Sequence, residues 1–274
     1  MFFFLPLYDD NPTARIPYVT YALIALCAVV FLWQLGQDSD AVAASYGMIP
    51  AVLFGSAQLS PGIAVIPPWM TVFTSMFLHG GWLHLGGNML FLWIFGNNIE
   101  DVLGHVRYLL LYLASGAVAA LCQALPDTAS VVPMIGASGA IAGVLGAYLL
   151  LYPYAKVHVL VWIVIFVRII AVPAWIMLGL WFGLQLVDGL LSAPDDAGVA
   201  FWAHVGGFIS GVALLVILRP LGTALLQPPK TQSFAVAAPR DFTGRDTFHG
   251  AVQGAVSDVE AGKFRPRGPW DAVG

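Results

Sequence analysis

The chain has 274 residues, of which 59% are hydrophobic and 9% charged, and its formal net charge at pH 7 is −4. A soluble domain carries roughly 25% charged residues, so the composition excludes an ordinary soluble protein and indicates several membrane crossings. No basic cluster points to nucleic acid as a partner. The two cysteines, Cys27 and Cys122, both fall inside predicted spans, which excludes a disulfide framework and a Cys-x-x-Cys metal site.

Six apolar segments follow one another along the chain, and a bilayer requires roughly 20 residues for each crossing. Five of them have 18 to 20 residues, and the second has 14 and would start a few residues earlier if it is tilted. The first is too long for the core of a signal peptide, so we expect it to be retained. The predicted spans are 18–35, 82–95, 106–125, 134–152, 172–191 and 200–218. The second ends where the polar residues Asn97, Asn98, Glu100 and Asp101 begin.

The remaining segments are not predicted to cross the membrane. Residues 36–80 are rich in Gly, Pro and Ser but contain large apolar residues, and we expect them to lie partly in the membrane interface. Residues 156–170 begin with an alternating, β-branched pattern and include Arg168, which we interpret as a second interfacial segment. The predicted fold is all-α, a six-helix membrane bundle. We expect a cytoplasmic N-terminal segment at 1–17, a membrane domain at 18–218 and a cytoplasmic disordered tail at 219–274.

The basic residues predict the orientation of the spans, because positive charge favours the cytoplasmic side. With six spans, all eleven fall on one side: Arg15, Arg107, Lys156, Arg168, Arg219, Lys230, Arg240, Arg245, Lys263, Arg265 and Arg267. The loops on the other side carry aspartates instead. A seventh span at 157–171 would move the tail across the membrane, so we predict six spans in the cell's inner membrane with both termini cytoplasmic.

Few polar residues lie inside the predicted spans, and several share one depth. Ser138, His84 and His204 each lie near the start of a span that runs inward from the extracytoplasmic side. His84 and Asn88 are four residues apart and share one helix face. Intramembrane polar residues usually face the protein interior or a water-filled cavity, so we expect a polar site that opens to the extracytoplasmic side.

Glycines accompany the serine and the last of these histidines at helical spacing. Gly139-x-x-x-Gly143 on span four permits close approach of another backbone, and His204 shares a stripe with Gly207 and Gly211 on span six. Such an approach would bring a serine hydroxyl within reach of an imidazole, which is the geometry of a base-activated nucleophile.

The expected site contains no carboxylate, since no Asp or Glu lies at the depth of His204. The residues therefore favour a Ser–His dyad over a triad. An oxyanion would need preorganised donors, and the candidates are the side chains of Asn88 and His84 and the backbone N–H of Ser138.

Three motifs, in this order and spacing, resemble those of rhomboid intramembrane serine proteases. Residues 79–88 match His-x4-His-x3-Asn, residues 136–139 match Gly-x-Ser-Gly, and residues 203–211 match Ala-His-x2-Gly-x3-Gly. The pattern Gly-x3-Glu-x3-Gly at 96–104 is also similar to one in that family. The resemblance covers about 18–218.

The resemblance implies a nucleophile, Ser138, and a general base, His204. It also implies that His84 and Asn88 line an oxyanion hole, with supporting roles for His79, Gly136, Gly139, Gly207 and Gly211. Members of the family cleave peptide bonds in or beside transmembrane segments of other proteins, without metal or cofactor. The expected partners are therefore transmembrane substrates within the lipid bilayer, and the oligomeric state is open.

Two features depart from the family pattern. Ala142 stands one turn after the serine, where some members have an aromatic residue that stacks on the base, and the first loop lacks the arginine that many bacterial members have. What orients His204 is therefore an open question. We expect the loop Gly189–Val199, together with span five, to act as a lid.

Other functions fit the sequence less well. An inactive rhomboid-like scaffold that binds membrane helices without cutting them is the first alternative, but both Ser138 and His204 are present. A small-solute transporter is disfavoured because the chain has no inverted repeat and no acidic residue at the midplane. The sequence has no His-Glu-x-x-His for a metalloprotease and no pair of span-buried aspartates for an aspartyl protease.

Overall fold

The structure is a computed structural model in which residues 2–163, 166–191 and 200–229 are described. The described helices are α1 Tyr18–Gln34, α2 Ser39–Tyr46, α3 Pro50–Leu53, α4 Pro68–Thr74, α5 Trp82–Leu103, α6 His105–Ala124, α7 Ser138–Leu151, α8 Ala174–Leu191 and α9 Phe201–Leu218, with a 3₁₀ turn at Ser75–Phe77. The described strands are β1 Phe2–Asp9, β2 Lys156–Ile163 and β3 Phe166–Pro173.

Each of the six apolar segments contains a helix, namely α1, α5, α6, α7, α8 and α9. Among the described helices, α6, α8 and α9 are long and apolar enough to cross a membrane, whereas α1 and α7 are shorter apolar helices. Several helices of this kind indicate a multi-pass membrane protein.

The predicted end of the second span is wrong, because α5 continues through the polar residues to Leu103. Asn98 and Glu100 are almost fully buried inside this helix. They remain helical because other parts of the chain satisfy their hydrogen bonds, so here tertiary contacts outweigh the polarity of the local sequence.

Glu100 joins three helices through its carboxylate. It accepts hydrogen bonds from the backbone N–H groups of Val19 and Thr20, both at 2.8 Å, and from the Thr20 hydroxyl at 2.7 Å. These N–H groups lie in the first turn of α1, where they have no partner within the helix and where the helix dipole favours a negative charge. Oε1, the oxygen that accepts from Val19, is also 2.6 Å from His105 Nδ1 at the start of α6.

The all-α expectation is wrong, because β1, β2 and β3 form an antiparallel sheet in that order. β2 and β3 are a hairpin, in register from Lys156 opposite Pro173 to Ile163 opposite Phe166. The alternating, β-branched residues that we interpreted as an interfacial segment favour strands. Val157 and Val159 are buried on one face of the sheet and belong to the core that the helices form.

β1 adds the N-terminal residues to this sheet, and a shift of register between Pro6 and Tyr8 turns Asp9 toward the helices. The Asp9 carboxylate accepts hydrogen bonds from the Tyr148 hydroxyl of α7 at 2.5 Å and from the Asn98 amide of α5 at 3.0 Å. Burial raises the pKa of Asp9 to about 6, although the Tyr148 hydrogen bond opposes the shift.

Two expectations concern residues beyond these elements. Residues 192–199 of the proposed lid loop Gly189–Val199 lie outside the described residues. The first three residues of this loop are the last three of α8. The proposed tail is described only to residue 229. In that part the N–H groups of Leu226 and Gln227 donate to the carbonyls of Leu150 and Leu151 at the end of α7.

Replacing Glu100 should separate the first turn of α1 from α5. In Glu100→Gln one oxygen is lost and an amide N–H faces a backbone N–H, so we expect the free energy of unfolding to fall by about 2 to 4 kcal/mol. Denaturant titration in mixed micelles measures it. Asp101→Asn is the matched control, because Asp101 accepts N–H bonds from Ala14 and Arg15 at the exposed surface, and it should lose less than about 1 kcal/mol. Equal losses in both variants would contradict this role of Glu100.

Asp9 should make stability depend on pH in a predictable direction. Its pKa is higher in the folded chain, about 6, than the ordinary value of 3.8, so the folded state binds more protons between these values. The Asp9 contribution is therefore complete below about pH 4 and is lost as the pH rises through 6. Asp9→Asn imitates the protonated form and should flatten the dependence of the melting temperature on pH over this window. A slope identical to that of the wild type would contradict the prediction.

Candidate active site

Ser138 is the first residue of α7, and the turn before it requires a glycine. Gly136 has φ +124°, a conformation that residues with a side chain rarely adopt. Its N–H donates to the Ser75 carbonyl at 2.8 Å, and a Cβ at this position would come within 2.7 Å of His84 Nε2. The turn thus holds the start of α7 directly against the His84 ring.

Contact between the backbones of α7 and α9 brings the serine to the histidine. A Cβ at Gly207 would collide with the carbonyl of Gly139, and one at Gly211 with the carbonyl of Gly143. With only hydrogens at these positions the two helices touch, as the glycine spacing predicts. A Cβ at Gly139 would also come within 2.6 Å of Ala119 on α6, so this face of α7 is closed on two sides.

As a result, Ser138 Oγ lies 2.8 Å from His204 Nε2. The imidazole is almost completely buried, with 8% of its residue surface exposed. The other ring nitrogen, Nδ1, lies 2.5 Å from Oε1 of Gln185 on α8. Both nitrogens of His204 are therefore engaged by side chains on neighbouring helices.

The ring of Trp181, also on α8, lies against the His204 ring, with centroids 5.7 Å apart and planes inclined at 38°. Trp181 and Gln185 are four residues apart and so share one face of the helix. Our sequence reasoning missed both, because it treated the fifth span only as a lid. Gln185 did carry a signal, since a polar side chain inside an apolar span is unusual.

His84 and Asn88 face the same space as the serine and the histidine. A cleft of about 230 Å³ lies between them, lined by Leu83, His84, Gly87, Asn88, Phe91, Ser138, Ile141, Leu145, Trp181 and His204. His84 Nδ1 accepts a hydrogen bond from the Gly80 N–H at 3.2 Å, so its hydrogen is on Nε2. The buried Asn88 Nδ2 has no hydrogen-bond partner among the described residues. Two side-chain donors are thus available beside Ser138.

His79 lies behind His84 and not in the cleft. It is 2% exposed, and its ring packs edge-on against the His84 ring with centroids 5.2 Å apart. Its backbone N–H donates to the Gln34 side chain at 3.0 Å, and its carbonyl accepts from the same amide at 3.3 Å. His79 therefore connects the segment before α5 to the end of α1 and supports the His84 ring from behind.

The fold and the site together describe a multi-pass membrane protein with a paired serine and histidine between apolar helices. A sequence model of the Rhomboid domain matches residues 67–221, more than half of the chain. The chain therefore belongs to the rhomboid family, and the resemblance stated above is confirmed.

Three relatives match the chain over more residues than the family model does. The chain is 33% identical over 202 residues to Rhomboid protein 1, mitochondrial, of Saccharomyces cerevisiae, covering 71% of this chain and 51% of that protein. It is 33% identical over 196 residues to Rhomboid protease GluP of Bacillus subtilis, covering 71% and 34%. It is 29% identical over 213 residues to Rhomboid-type serine protease 2 of Emericella nidulans, covering 73% and 37%. The chain thus spans about half or less of the length of these relatives.

Adding a methyl group between α7 and α9 should be far more harmful than adding one elsewhere. In Gly211→Ala the new Cβ meets backbone atoms that cannot rotate away, and we expect a loss of about 2 to 4 kcal/mol in the free energy of unfolding. Gly183→Ala on α8 is the matched control, since nothing lies within 4 Å of its Cβ. There alanine's helix propensity should add up to about 1 kcal/mol. Denaturant titration compares the two, and equal effects would contradict the close contact.

Proposed function

We propose that this protein is an intramembrane serine endopeptidase in which Ser138 and His204 form a catalytic dyad. The observation that carries the proposal is the 2.8 Å distance between Ser138 Oγ and His204 Nε2. A serine hydroxyl is a weak nucleophile until an adjacent base takes its proton. The family and the relatives named as proteases support the same reaction.

In the proposed reaction, Ser138 Oγ attacks the scissile carbonyl while His204 Nε2 accepts the hydroxyl proton. The imidazolium then returns this proton to the leaving amine, and water releases the acyl group from the serine in a second step with the same base. The charge that develops on the carbonyl oxygen needs donors that are already in place.

Three donors surround the proposed oxyanion. The backbone N–H of Ser138 lies in the first turn of α7, where no partner is available within the helix. His84 Nε2–H adjoins the turn before Ser138, and Asn88 Nδ2 has no partner among the described residues. Each such donor is worth roughly 10²–10³-fold in rate in other serine proteases.

The proposed substrates are transmembrane segments of other proteins. The cleft opens between α5, α7 and α8 and is lined mainly by apolar side chains, including Leu83, Phe91 and Leu145, which suits a peptide arriving from lipid. A second cavity beside Ser138, of about 10 Å³, is lined by small residues such as Gly116, Ala119 and Ala203. It leaves room for about one water molecule and favours a small side chain next to the cut.

We further propose that six spans cross the cell's inner membrane, with both termini cytoplasmic and the cleft toward the extracytoplasmic side. The distribution of basic residues supports this orientation. In this topology β1 and the β2–β3 hairpin lie on the cytoplasmic side. No metal or other cofactor has a part in the proposed reaction.

The test compares wild type, Ser138→Ala and His204→Ala in lipid nanodiscs on a model transmembrane substrate, alongside labelling by a fluorophosphonate. We expect either substitution to lower kcat by at least about 10³-fold and Ser138→Ala to abolish labelling. Ser210→Ala is the control, because the Ser210 hydroxyl donates to the Gly207 carbonyl of its own helix and Ser210 does not line the cleft. Cleavage by Ser138→Ala at the wild-type rate would refute the dyad. A folded wild type that neither cleaves nor reacts with the probe would indicate the inactive scaffold instead.

A further inference from the structure

We infer that Gln185 of α8 is a positioning residue for the catalytic base, because it fixes the hydrogen of His204 on Nδ1 and so keeps Nε2 free to accept the proton of Ser138. The inference rests on the proposed function for its catalytic meaning. It also makes a statement about the imidazole that can be measured without any activity.

The tautomer follows from the chemistry of the two atoms. Gln185 Oε1 lies 2.5 Å from His204 Nδ1, and an amide oxygen has no hydrogen to donate. The hydrogen of this bond must therefore belong to Nδ1. A neutral imidazole carries only one N–H, so Nε2 presents its lone pair to Ser138 Oγ, 2.8 Å away.

Gln185 and Trp181 restrict the imidazole ring of His204 in different ways. Trp181 lies against the ring of His204 and restricts its tilt, yet it makes no hydrogen bond to either nitrogen. Rotating the imidazole by half a turn would exchange Nδ1 with Cδ2 and Nε2 with Cε1 while leaving the contact with Trp181 similar. The hydrogen bonds to Gln185 and Ser138 both select the observed orientation, and the one to Gln185 also determines which nitrogen carries the hydrogen. Together, Gln185 and Trp181 orient the His204 ring, which the small side chain of Ala142 cannot do.

Because Gln185 lies on α8, the orientation of His204 depends on how α8 packs against α9. Only 17% of the residues of α8 are buried, compared with 44% of those of α9, so α8 is held by a small part of its surface. Its contacts with α9 include Phe182 stacked on Phe208 at 4.5 Å between centroids. The base is therefore correctly oriented only while α8 remains packed against α9.

The variants isolate the hydrogen bond from the packing of the helix. Gln185→Leu keeps the size of the side chain but removes the acceptor, whereas Gln185→Glu keeps an acceptor and adds a negative charge. Gln123→Leu is the matched control, because the Gln123 oxygen accepts from the Ala203 backbone N–H at 3.1 Å and does not contact the imidazole. The titratable residues on elements around His204, namely His84, Cys122 and Asp188, are unchanged in all three variants.

For Gln185→Leu in nanodiscs, we expect kcat to fall about 10- to 100-fold with KM within about twofold of wild type, since wrong tautomers impair turnover and not binding. The ¹⁵N spectrum of His204 should change from a form protonated on Nδ1 to a mixture of both tautomers. For Gln185→Glu, kcat should be within about threefold of wild type. The acidic limb of kcat/KM should then move to higher pH, because a carboxylate favours the protonated imidazole. Gln123→Leu should leave the pH profile and the ¹⁵N spectrum unchanged.

Several results would overturn the inference. If Gln185→Leu retains the wild-type kcat and ¹⁵N spectrum, Gln185 does not set the tautomer. If both Gln185 variants lose activity equally with unchanged pH profiles, the residue only supports the packing of α8. If the wild type does not cleave, or Ser138→Ala does, the proposed function fails. The ¹⁵N comparison of wild type and Gln185→Leu then still decides whether Gln185 fixes the ring.

Discussion

Direct contact between the backbones of α7 and α9 is the constraint on which the rest of the structure depends. Inside a membrane, burying apolar side chains gives helices little reason to associate, because lipid is equally apolar, and close packing of small residues takes over that role. Gly207 and Gly211 meet the carbonyls of Gly139 and Gly143. The same contact sets the distance between Ser138 and His204, so the stability of the bundle and the geometry of the site have one origin.

Polar interactions fasten the other end of the bundle, where the helices and the sheet meet. Glu100 holds the first turn of α1 and reaches the start of α6, while Asn98 donates to Asp9 and accepts from Asn11. Buried polar groups of this kind are tolerable only when their hydrogen bonds are satisfied. The molecule thus combines an apolar, glycine-packed half that holds the serine and histidine with a polar half that fixes helix ends.

Features that depend on local spacing could be predicted from the sequence, whereas features that depend on partners far away in the chain could not. The helical periods of the glycines predicted that α7 and α9 would approach, and with them the pairing of Ser138 and His204. The strands at 156–173 were visible as alternation, but their partner, β1, comes from the other end of the chain. Gln185 was overlooked for the same reason, because its role depends on which face of α8 contacts His204. The end of α5 was misplaced because Glu100 finds its partners on α1.

The pairing of β1 with β2 has a consequence for how the protein is made. Asp9 and Tyr148, which join the edge of this sheet to α7, are 139 positions apart in the chain, and β2 is synthesised later still. In the sheet, Asp9 pairs with Val157 of β2, 148 positions later, so at a synthesis rate of about 5–20 residues per second β1 waits roughly 7 to 30 seconds for its partner. During that interval an apolar strand remains unpaired at the ribosome, so the N-terminal residues are among the last to be secured although they are made before the helices they join.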